Sequence, residues 1–580
     1  MTNAARMILT LTLASAGVVF SGEKSDWPLI VVRHTSAVNQ TPDILEKIIA
    51  IHEKYPGSAD EFWFCTNGRK TPESLRAQAK AFARHRAACE RAGIRVSYQE
   101  GLTLGHGVNH DGKPQKPDDY PFPPDAWQKD RNGRHLGFLC PRAPAVLDYE
   151  YQYTKAILET VNPWSFWIDD DLRLGACKTE GCFCDRCIAA FNAKEGLSLT
   201  REQLVAHVFS KETLDEIRGK WCTFNGESLA CYGAAARRAA DELKSPCRLA
   251  YQAVWSDTVY TARDYRPLLE ALSGPRRIPT GIRPGACYYT EDRPREMTEK
   301  ALSVAREAER CRSYGCVGTV CYEQETYPRH ILHKSPEAIA IESALAIASG
   351  TDTVSLYWYA GDAPEPMEDY ERFARTIAAW RSYFEALSAS TRRTRLGGVA
   401  RYLGSRAIDH CDFDLRDDAD RAMALAGIPV TVAEGRPVAW YVTAKSRACS
   451  TPQELAAIKS RTVPVPQKFP LARERTALLD ALDRVTNGAF PVRVENCHPF
   501  RILPRVDEAG RTDSVTLLNC SIGESDAIVI KVRNPRGRTA YWHRPKGRTR
   551  VDGTFDAARN EFVCTLPALP GWQPGTLFFE

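Results

Sequence analysis

The sequence predicts an α/β protein: a (β/α)8 TIM barrel, then a small α/β domain and a C-terminal β-sandwich. Two observations carry this prediction. The chain has 580 residues, more than one hydrophobic core supports. Strand-like apolar runs then alternate with amphipathic helical patterns eight times over roughly 360 residues, as in a barrel with enlarged loops. An open doubly wound sheet is the alternative, but no glycine-rich phosphate loop follows an early strand.

Each predicted barrel strand is a short run of apolar, β-branched or aromatic residues. The eight runs are 29–34, 61–65, 94–99, 164–168, 247–254, 278–282, 316–322 and 353–359. Helices are predicted between them, and three begin with a capping residue followed by proline, at Thr41-Pro42, Thr71-Pro72 and Ser335-Pro336. The barrel is therefore placed at residues 25–385. The pattern predicts a small α/β domain at 395–490 and a β-sandwich at 491–580.

Composition excludes some classes of function. The chain carries 77 basic and 72 acidic residues and no basic run, which argues against nucleic-acid binding. No stretch after the N-terminus reaches about 18 apolar residues, so no membrane span is predicted. Arg6, an apolar run at 7–14 and small residues behind it predict a signal peptide at 1–21 and a secreted or periplasmic protein. A buried first strand is the alternative interpretation.

Acidic residues follow two of the predicted strands. Asp169, Asp170 and Asp171 end the fourth strand, and Glu323 ends the seventh. Three adjacent carboxylates repel one another, so a functional role is expected to justify this cluster. Two carboxyl groups facing each other across a barrel mouth are what glycosidic bond cleavage requires. A solvated acidic loop or a cation site is the alternative for the three aspartates.

Further residues at strand ends are candidates for binding a carbohydrate. The acidic ones are Asp169 and Glu100, and the aromatic ones, which could stack on a sugar face, include Trp255, Tyr289 and Trp358. For each aromatic residue, ordinary barrel packing is the alternative, because aromatic side chains dominate protein cores.

The loop after the fourth strand is rich in cysteine. Cys177, Cys182, Cys184 and Cys187 have the spacing C-x4-C-x-C-x2-C. Four thiolates suit tetrahedral zinc, and a site without an open position is structural rather than catalytic. A pair of disulfides is the alternative, which export would favour. Cys140 competes with Cys177 as the fourth ligand.

These motifs resemble glycoside hydrolase family 42, barrel β-galactosidases of a large retaining clan. The resemblance rests on 167–171 (WIDDD), on 182–191 (CFCDRCIAAF), on Cys140-Pro141, on Tyr322-Glu323-Gln324 and on the last strand before Trp358. It implies Glu323 as nucleophile, Asp171 at the acid/base position and Asp170 in place of an asparagine. It also implies zinc on Cys140, Cys182, Cys184 and Cys187, a β-galactoside substrate and a homotrimer.

The chain departs from the family at the acid/base position. Aspartate is one C–C bond, about 1.5 Å, shorter than the family's glutamate, which could widen the carboxyl gap towards that of inverting enzymes. The sequence therefore predicts a glycosidase, most simply a retaining one. The alternative is a carbohydrate-binding barrel with an altered catalytic site, and a third interpretation is a redox or metal-handling protein built on the cysteines.

Overall fold

The structure is a computed structural model. It describes residues 26–34, 40–65, 68–106, 120–174, 181–254, 264–285, 288–326, 331–358, 366–411, 417–432, 436–468 and 470–580. The predicted signal peptide, Cys177 and Trp255 lie outside the described residues. None of the described helices is long and apolar enough to cross a membrane.

Eight parallel strands form a closed barrel, which confirms the predicted fold class. In chain order, the first ten strands are β1 (Ile30–His34), β2 (Glu61–Cys65), β3 (Arg95–Gln99), β4 (Trp127–Lys129), β5 (His135–Leu139), β6 (Ser165–Ile168), β7 (Arg248–Val254), β8 (Thr280–Gly285), β9 (Val317–Glu325) and β10 (Thr353–Tyr357). The pair β4 and β5 is a hairpin outside the barrel. The barrel closes where β1 pairs with β10, with Ile30 opposite Val354.

Helices surround the barrel and follow its strands. They are α1 (Pro42–Lys54), α2 (Pro72–Arg91), α3 (Pro144–Thr160), α4 (Asp185–Glu195), α5 (Arg201–Val208), α6 (Glu216–Glu242), α7 (Arg266–Ser273), α8 (Pro294–Arg312), α9 (Pro336–Ser349) and α10 (Met367–Arg392). Thr71 and Ser335 cap α2 and α9 with their side chains, as their position before proline predicts.

The barrel interior is filled by aromatic and small side chains. Trp63 and Trp167 pack with ring centroids 4.4 Å apart, next to Val31, Ala250 and Cys321. A Cβ at Gly281 would lie 2.8 Å from the Trp167 ring, so a glycine is needed there. Because side chains alternate along a strand, the inward residues nearer the carboxyl ends lie above this layer, where functional groups of this fold are found.

Two further regions follow the barrel. In the first, a three-stranded sheet of β12 (Val399–Arg401), β13 (Ala439–Tyr441) and β14 (Thr462–Val463) shares a hydrophobic core with α11 (Asp418–Leu425) and α14 (Ala472–Val485). The short helices α12 (Ala444–Ala448) and α13 (Pro452–Ile458) belong to the same region. The second contains sheets of six and four strands. Their strands are β11 (Arg395–Leu396), β15 (Val492–Val494), β16 (Phe500–Val506), β17 (Thr512–Asn519), β18 (Ile528–Arg533), β19 (Ala540–Arg544), β20 (Gly547–Val551), β21 (Gly553–Asp556), β22 (Glu561–Leu566) and β23 (Pro574–Phe579).

Candidate functional site

Glu323 lies near the carboxyl end of β9 and is held by two arginines. Its Oε1 accepts a hydrogen bond from Arg33 Nη1 at 2.9 Å, and its Oε2 lies 2.6 Å from Arg283 Nη1. All three side chains are buried. Burial alone would raise the pKa of Glu323, but the guanidinium groups of Arg283 and Arg33 outweigh it and hold the pKa below its usual value. Glu323 is therefore a buried carboxylate that stays ionised.

Arg283 joins Glu323 to the aspartates after β6. Its Nη2 donates to Asp170 Oδ2 at 3.4 Å, and its Nε donates to Gln252 Oε1 at 2.9 Å. One planar guanidinium thus contacts the carboxylates from the fourth and seventh barrel strands. The two acidic groups predicted from the sequence lie in one place, although they are far apart along the chain.

Asp169 is linked to Glu323 through the side chains of Gln99 and Arg33. Its Oδ1 accepts from Gln99 Nε2 at 3.2 Å, and Gln99 Oε1 accepts from Arg33 Nε at 3.3 Å. The Arg33 guanidinium also lies over the Tyr357 ring, 5.0 Å from its centroid. Six barrel strands, and the residue just after a seventh, β6, therefore contribute to one connected polar layer around Glu323.

Asp171 is enclosed. No part of its side chain is exposed, whereas that of Asp170 is 22% exposed. Asp171 Oδ1 lies 2.7 Å from His106 Nδ1 and 3.2 Å from Arg173 Nη2. The loop that carries it is held by Gln128, which donates to the Arg173 carbonyl, and by Tyr251, which donates to the Leu172 carbonyl.

Two predicted substrate-binding residues point away from this layer. Trp358 is buried and stacks on Phe373 of α10, with ring centroids 5.4 Å apart. Glu100 is buried and accepts from Tyr232 of α6 at 2.9 Å. Tyr289 is half-buried in the segment after β8. These positions favour packing roles for Trp358 and Glu100.

Glu100 belongs to a buried acidic pair. Glu150 of α3 is its partner, and Thr154 donates to Glu150 Oε1 at 2.6 Å. One oxygen of each carboxyl group has no hydrogen-bond partner among the described residues. Burial raises the pKa of Glu150 to about 7 and that of Glu100 well above its usual value. The pair is therefore at least partly protonated near neutral pH.

A second buried network supports the strand that carries Glu323. Glu342 of α9 contacts Lys300 Nζ at 3.3 Å and Lys334 Nζ at 2.9 Å, and it accepts from Tyr322 at 2.8 Å. Lys300 Nζ also donates to the Glu323 carbonyl. The network lies on the outward side of β9 and fixes the backbone at Glu323.

Sequence reasoning missed the groups that hold Glu323. Arg33 and Arg283 are cations inside buried strands, which is a rare position for arginine and was the available signal. The sixth barrel strand also runs to Gly285, beyond the predicted bound at 282, and so includes Arg283. A Cβ at Gly285 would lie 2.8 Å from Glu323 Oε2, so this glycine leaves room for the ion pair.

Four cysteines form a compact buried cluster: Cys140, Cys182, Cys184 and Cys187. Their sulfur atoms all lie within 4.8 Å of one another, and Cys140 Sγ is 3.5 Å from Cys187 Sγ and 3.8 Å from Cys184 Sγ. These sulfurs are too far apart for a disulfide bond of about 2.05 Å. The cluster could hold a metal ion. Cys140 follows β5, whereas the other three cysteines follow β6.

Comparisons with known proteins give no relative by sequence. No protein-family model matches the chain, and no curated protein matches it. Solved structures do match. Alpha-L-fucosidase isoenzyme 2 from Paenibacillus thiaminolyticus has a TM-score of 0.60 at 11% identity, covering 95% of this chain and 99% of that chain. A beta-galactosidase from Rahnella sp. R3 has a TM-score of 0.60 at 12% identity, covering 96% and 98%.

A family 42 enzyme is also among the matches. A catalytic mutant of Gan42B, a GH42 beta-galactosidase from G. stearothermophilus, has a TM-score of 0.56 at 11% identity. The match covers 95% of this chain and 98% of that chain. At such low identity these likenesses show the fold alone: the chain shares its fold, TIM barrel included, with these glycosidases over nearly its whole length.

Proposed function

We propose that this protein is a glycoside hydrolase whose two catalytic carboxylates come from the ends of the fourth and seventh barrel strands. The observation that carries the proposal is the contact of Arg283 with both Glu323 and Asp170. Acidic groups on facing strands of one barrel mouth are the arrangement that glycosidic bond cleavage needs. The glycosidase-like fold agrees with this proposal.

Glu323 acts as the nucleophile. A nucleophilic carboxylate must be ionised before substrate arrives, and the two guanidinium groups keep Glu323 ionised although it is buried. They also fix the direction of both carboxylate oxygens. Attack on the anomeric carbon by one oxygen would break the glycosidic C–O bond as the glycosyl ester forms, while the leaving oxygen takes a proton from the general acid. The attacking oxygen would give up its ion pair with Arg33 or Arg283. Water would then attack the same carbon, pass a proton back to the general acid and release the sugar with retention, which restores the Glu323 carboxylate.

Asp170 or Asp171 acts as the acid that protonates the leaving oxygen. The resemblance to family 42 points to Asp171. The partial exposure of Asp170 and its contact with Arg283 support Asp170, because an acid must reach the glycosidic oxygen. The complete enclosure of Asp171 supports a positioning role, in which it holds the loop through Arg173 and His106.

The substrate class is a proposal from the resemblance and the structural matches together. Family 42 implies a β-galactoside, and the matched structures include a fucosidase and β-galactosidases. A panel of nitrophenyl glycosides with galactose, fucose and glucose in both anomeric forms would identify the sugar. Proton NMR of the first-formed product would separate retention from inversion.

The decisive variant is Glu323→Gln, which keeps the shape but removes the charge. We expect turnover to fall at least about 1,000-fold, because a neutral amide is a poor nucleophile. Glu61→Gln is the matched control and should keep its turnover. Glu61 is also buried in a barrel strand, but it lies at the amino end of that strand, away from Glu323, and burial raises its pKa to about 7. Equal turnover in wild type and Glu323→Gln would overturn the assignment.

One observation favours a second candidate function, a carbohydrate-binding barrel without turnover. Both oxygens of Glu323 are engaged by arginines. If these ion pairs do not open, Glu323 cannot attack. Saturable sugar binding by wild type, without hydrolysis of any member of the panel, would support the binder.

We further propose that the cysteine cluster binds one structural zinc ion. Thiolates at 2.3 Å from zinc lie about 3.8 Å apart in a tetrahedron, close to the observed sulfur distances. The four cysteines would fill the coordination sphere and leave no open position, so the ion would tie the loop after β6 to the β4–β5 hairpin. Export and a homotrimer remain predictions.

A further inference from the structure

The C-terminal β-sandwich contains a concentrated positive charge. Residues 531–550 include eight basic residues and no acidic one. The whole chain has 77 basic and 72 acidic residues, so a segment of average composition would carry nearly equal numbers of the two. The cations are interspersed with other residues and form no uninterrupted run. They are Lys531, Arg533, Arg536, Arg538, Arg544, Lys546, Arg548 and Arg550.

Half of these cations lie in or beside the hairpin of β19 and β20. Strand β20 is an edge of the six-stranded sheet and pairs with β19 on one side. Its residues from Gly547 to Arg550 are exposed. An edge strand presents backbone N–H and C=O groups that no neighbouring strand uses. Charged side chains on such a strand also prevent association between sheets, which is the purely structural alternative for this feature.

Arg548 and Arg550 lie on the same face of the sheet. Arg548 is opposite His543, and Arg550 is opposite Tyr541. This face packs on the barrel, since the His543 ring lies 5.3 Å from the Tyr383 ring of α10. The Arg548 guanidinium lies 3.8 Å from the centroid of the Tyr541 ring, which supports its planar group. The two arginines are therefore neighbours, about 7 Å apart along an exposed strand.

Four of the eight cations have no carboxylate partner among the described residues. The ion pairs that do occur are Lys531–Glu495, Arg533–Glu561, Arg536–Asp513 and Arg548–Glu580. Three of the unpaired cations, Arg544, Lys546 and Arg550, belong to the hairpin or its turn. Like charges at close range repel one another and disfavour the compact state, so a bound anion would stabilise this region.

We propose that this basic hairpin, defined by Arg544, Lys546, Arg548 and Arg550, is a binding surface for an acidic polysaccharide. The planar guanidinium fork matches the geometry of carboxylate and sulfate groups. A polymer with repeated anions can contact several of these cations at once, and contacts within one molecule reinforce each other. The choice of a polysaccharide rests on the proposed glycosidase function, whereas the anion-binding surface does not.

The aromatic side chains favour a polysaccharide over a nucleic acid or a membrane. Proteins that bind single strands stack the bases on open aromatic rings. Here the Tyr541 ring is covered by Arg548, and Phe555 of β21 is covered by the Arg538 guanidinium, 4.6 Å from its centroid. A membrane-surface segment needs large apolar side chains, and residues 544–550 contain none.

Calorimetric titration of the full-length Glu323→Gln variant would test the proposal without hydrolysis of the glycan. The probes are polygalacturonate, heparin, neutral dextran, double-stranded DNA and vesicles of phosphatidylglycerol. At about 50 mM salt we expect saturable binding of polygalacturonate or heparin, which weakens steeply as salt screens the charges, and no binding of dextran. Absence of binding to both acidic polysaccharides, or tighter binding to DNA or to the vesicles, would overturn the proposal.

A triple substitution then locates the bound glycan. Lys546→Gln, Arg548→Gln and Arg550→Gln together should weaken binding at least about tenfold, because three charged contacts are lost. These side chains are exposed, so the melting temperature should stay close to that of the parent variant. Arg550→Gln alone removes one unpaired cation and should reduce the dependence of affinity on salt, which gives a second measurement on a minimally changed protein.

An equal change of charge elsewhere is the matched control. Arg76→Gln, Lys80→Gln and Arg84→Gln remove one lysine and two arginines from the exposed side of α2. This control should keep the affinity within about twofold, since long-range charge effects are screened by salt. Equal weakening by both triple variants, or none by the hairpin variant, would overturn the site. No turnover is needed here, so inactivity towards nitrophenyl glycosides would reject the proposed function, whereas binding alone decides this surface.

Discussion

The Arg283 guanidinium lies 2.6 Å from the Glu323 carboxylate, in a position where the arginine side chain has no solvent exposure. This buried ion pair sets the charge at the centre of the candidate site. The two residues lie on adjacent strands, Arg283 on β8 and Glu323 on β9, so the ion pair depends on the register between these strands. Its removal should affect both the titration of Glu323 and the stability of the barrel.

Arg283→Met should move the acid limb of the pH–rate profile. Arg283 and Arg33 hold the pKa of Glu323 below its usual value, so the wild-type carboxylate stays ionised as the pH falls below 4.5. Without Arg283, burial raises the pKa, and the kcat/KM of any glycoside that is turned over should fall off at a higher pH. Arg283→Lys, which keeps a positive charge, should restore much of the acid range.

The same variant tests stability. Because the folded-state pKa of Glu323 is depressed, the stabilisation by its ion pairs is present above the unfolded-state pKa of about 4.3 and is lost as pH falls through the folded-state value. Arg283→Met should cost about 3–5 kcal/mol in the free energy of unfolding at pH 7, as for other broken buried pairs. Denaturant unfolding measures this, and an unchanged stability would argue that Arg283 is not paired in solution.

Asp170→Asn and Asp171→Asn should differ. Loss of a general acid lowers turnover by about 100- to 10,000-fold, and less for a nitrophenyl leaving group that needs no proton. We expect this leaving-group dependence for Asp170→Asn. Asp171→Asn should instead lower the melting temperature, because it removes the charge that pairs with Arg173. The reverse pattern would assign the acid to Asp171.

The buried acidic pair predicts a pH-dependent stability. Burial raises the pKa of Glu150 to about 7, so its contribution is fully present below the unfolded-state value and is lost as pH rises from about 4.5 to 7. Glu150→Gln mimics the protonated form and should remove this loss, which is on the order of a few kcal/mol. Unfolding free energies at several pH values would show a flatter profile for the variant; an identical profile would contradict the buried pair.

Metal removal should destabilise the loop after β6. Elemental analysis should find one zinc ion for each chain, and Cys184→Ser should lose it together with several degrees of melting temperature. Cys231→Ser is the matched control, because this half-buried cysteine lies outside the cluster. Full zinc content in Cys184→Ser would contradict the proposed ligand set.

The fold could be predicted because the strand and helix patterns alternate eight times, so an error in the bounds of one element does not change the predicted fold class. The acidic residues of the candidate site were found for a related reason: Asp169 and Glu323 interrupt apolar runs at strand ends. The cysteine cluster was visible because three of its cysteines are close in sequence. Cys140 could be placed only through the resemblance, since local spacing equally allowed Cys177.

Side-chain direction was the harder problem. Gln99 and Tyr357 face the interior, so the next residues, Glu100 and Trp358, face the helices. Adjacent residues of a strand point to opposite faces of the sheet, and the sequence alone does not show which alternate set points into the barrel. Arg33 and Arg283 were missed because an arginine in an apolar strand is a visible signal, but its role is clear only once the opposing carboxylate is known.

The cysteine cluster joins positions that are made at different times during synthesis. Cys140 leaves the ribosome more than forty residues before Cys182, Cys184 and Cys187. In the proposed zinc site the first thiol must therefore wait for the other three, and each would be open to oxidation until the ion binds. The yield of active protein should consequently depend on zinc supply while the chain is being made, rather than on zinc added to the finished, oxidised product.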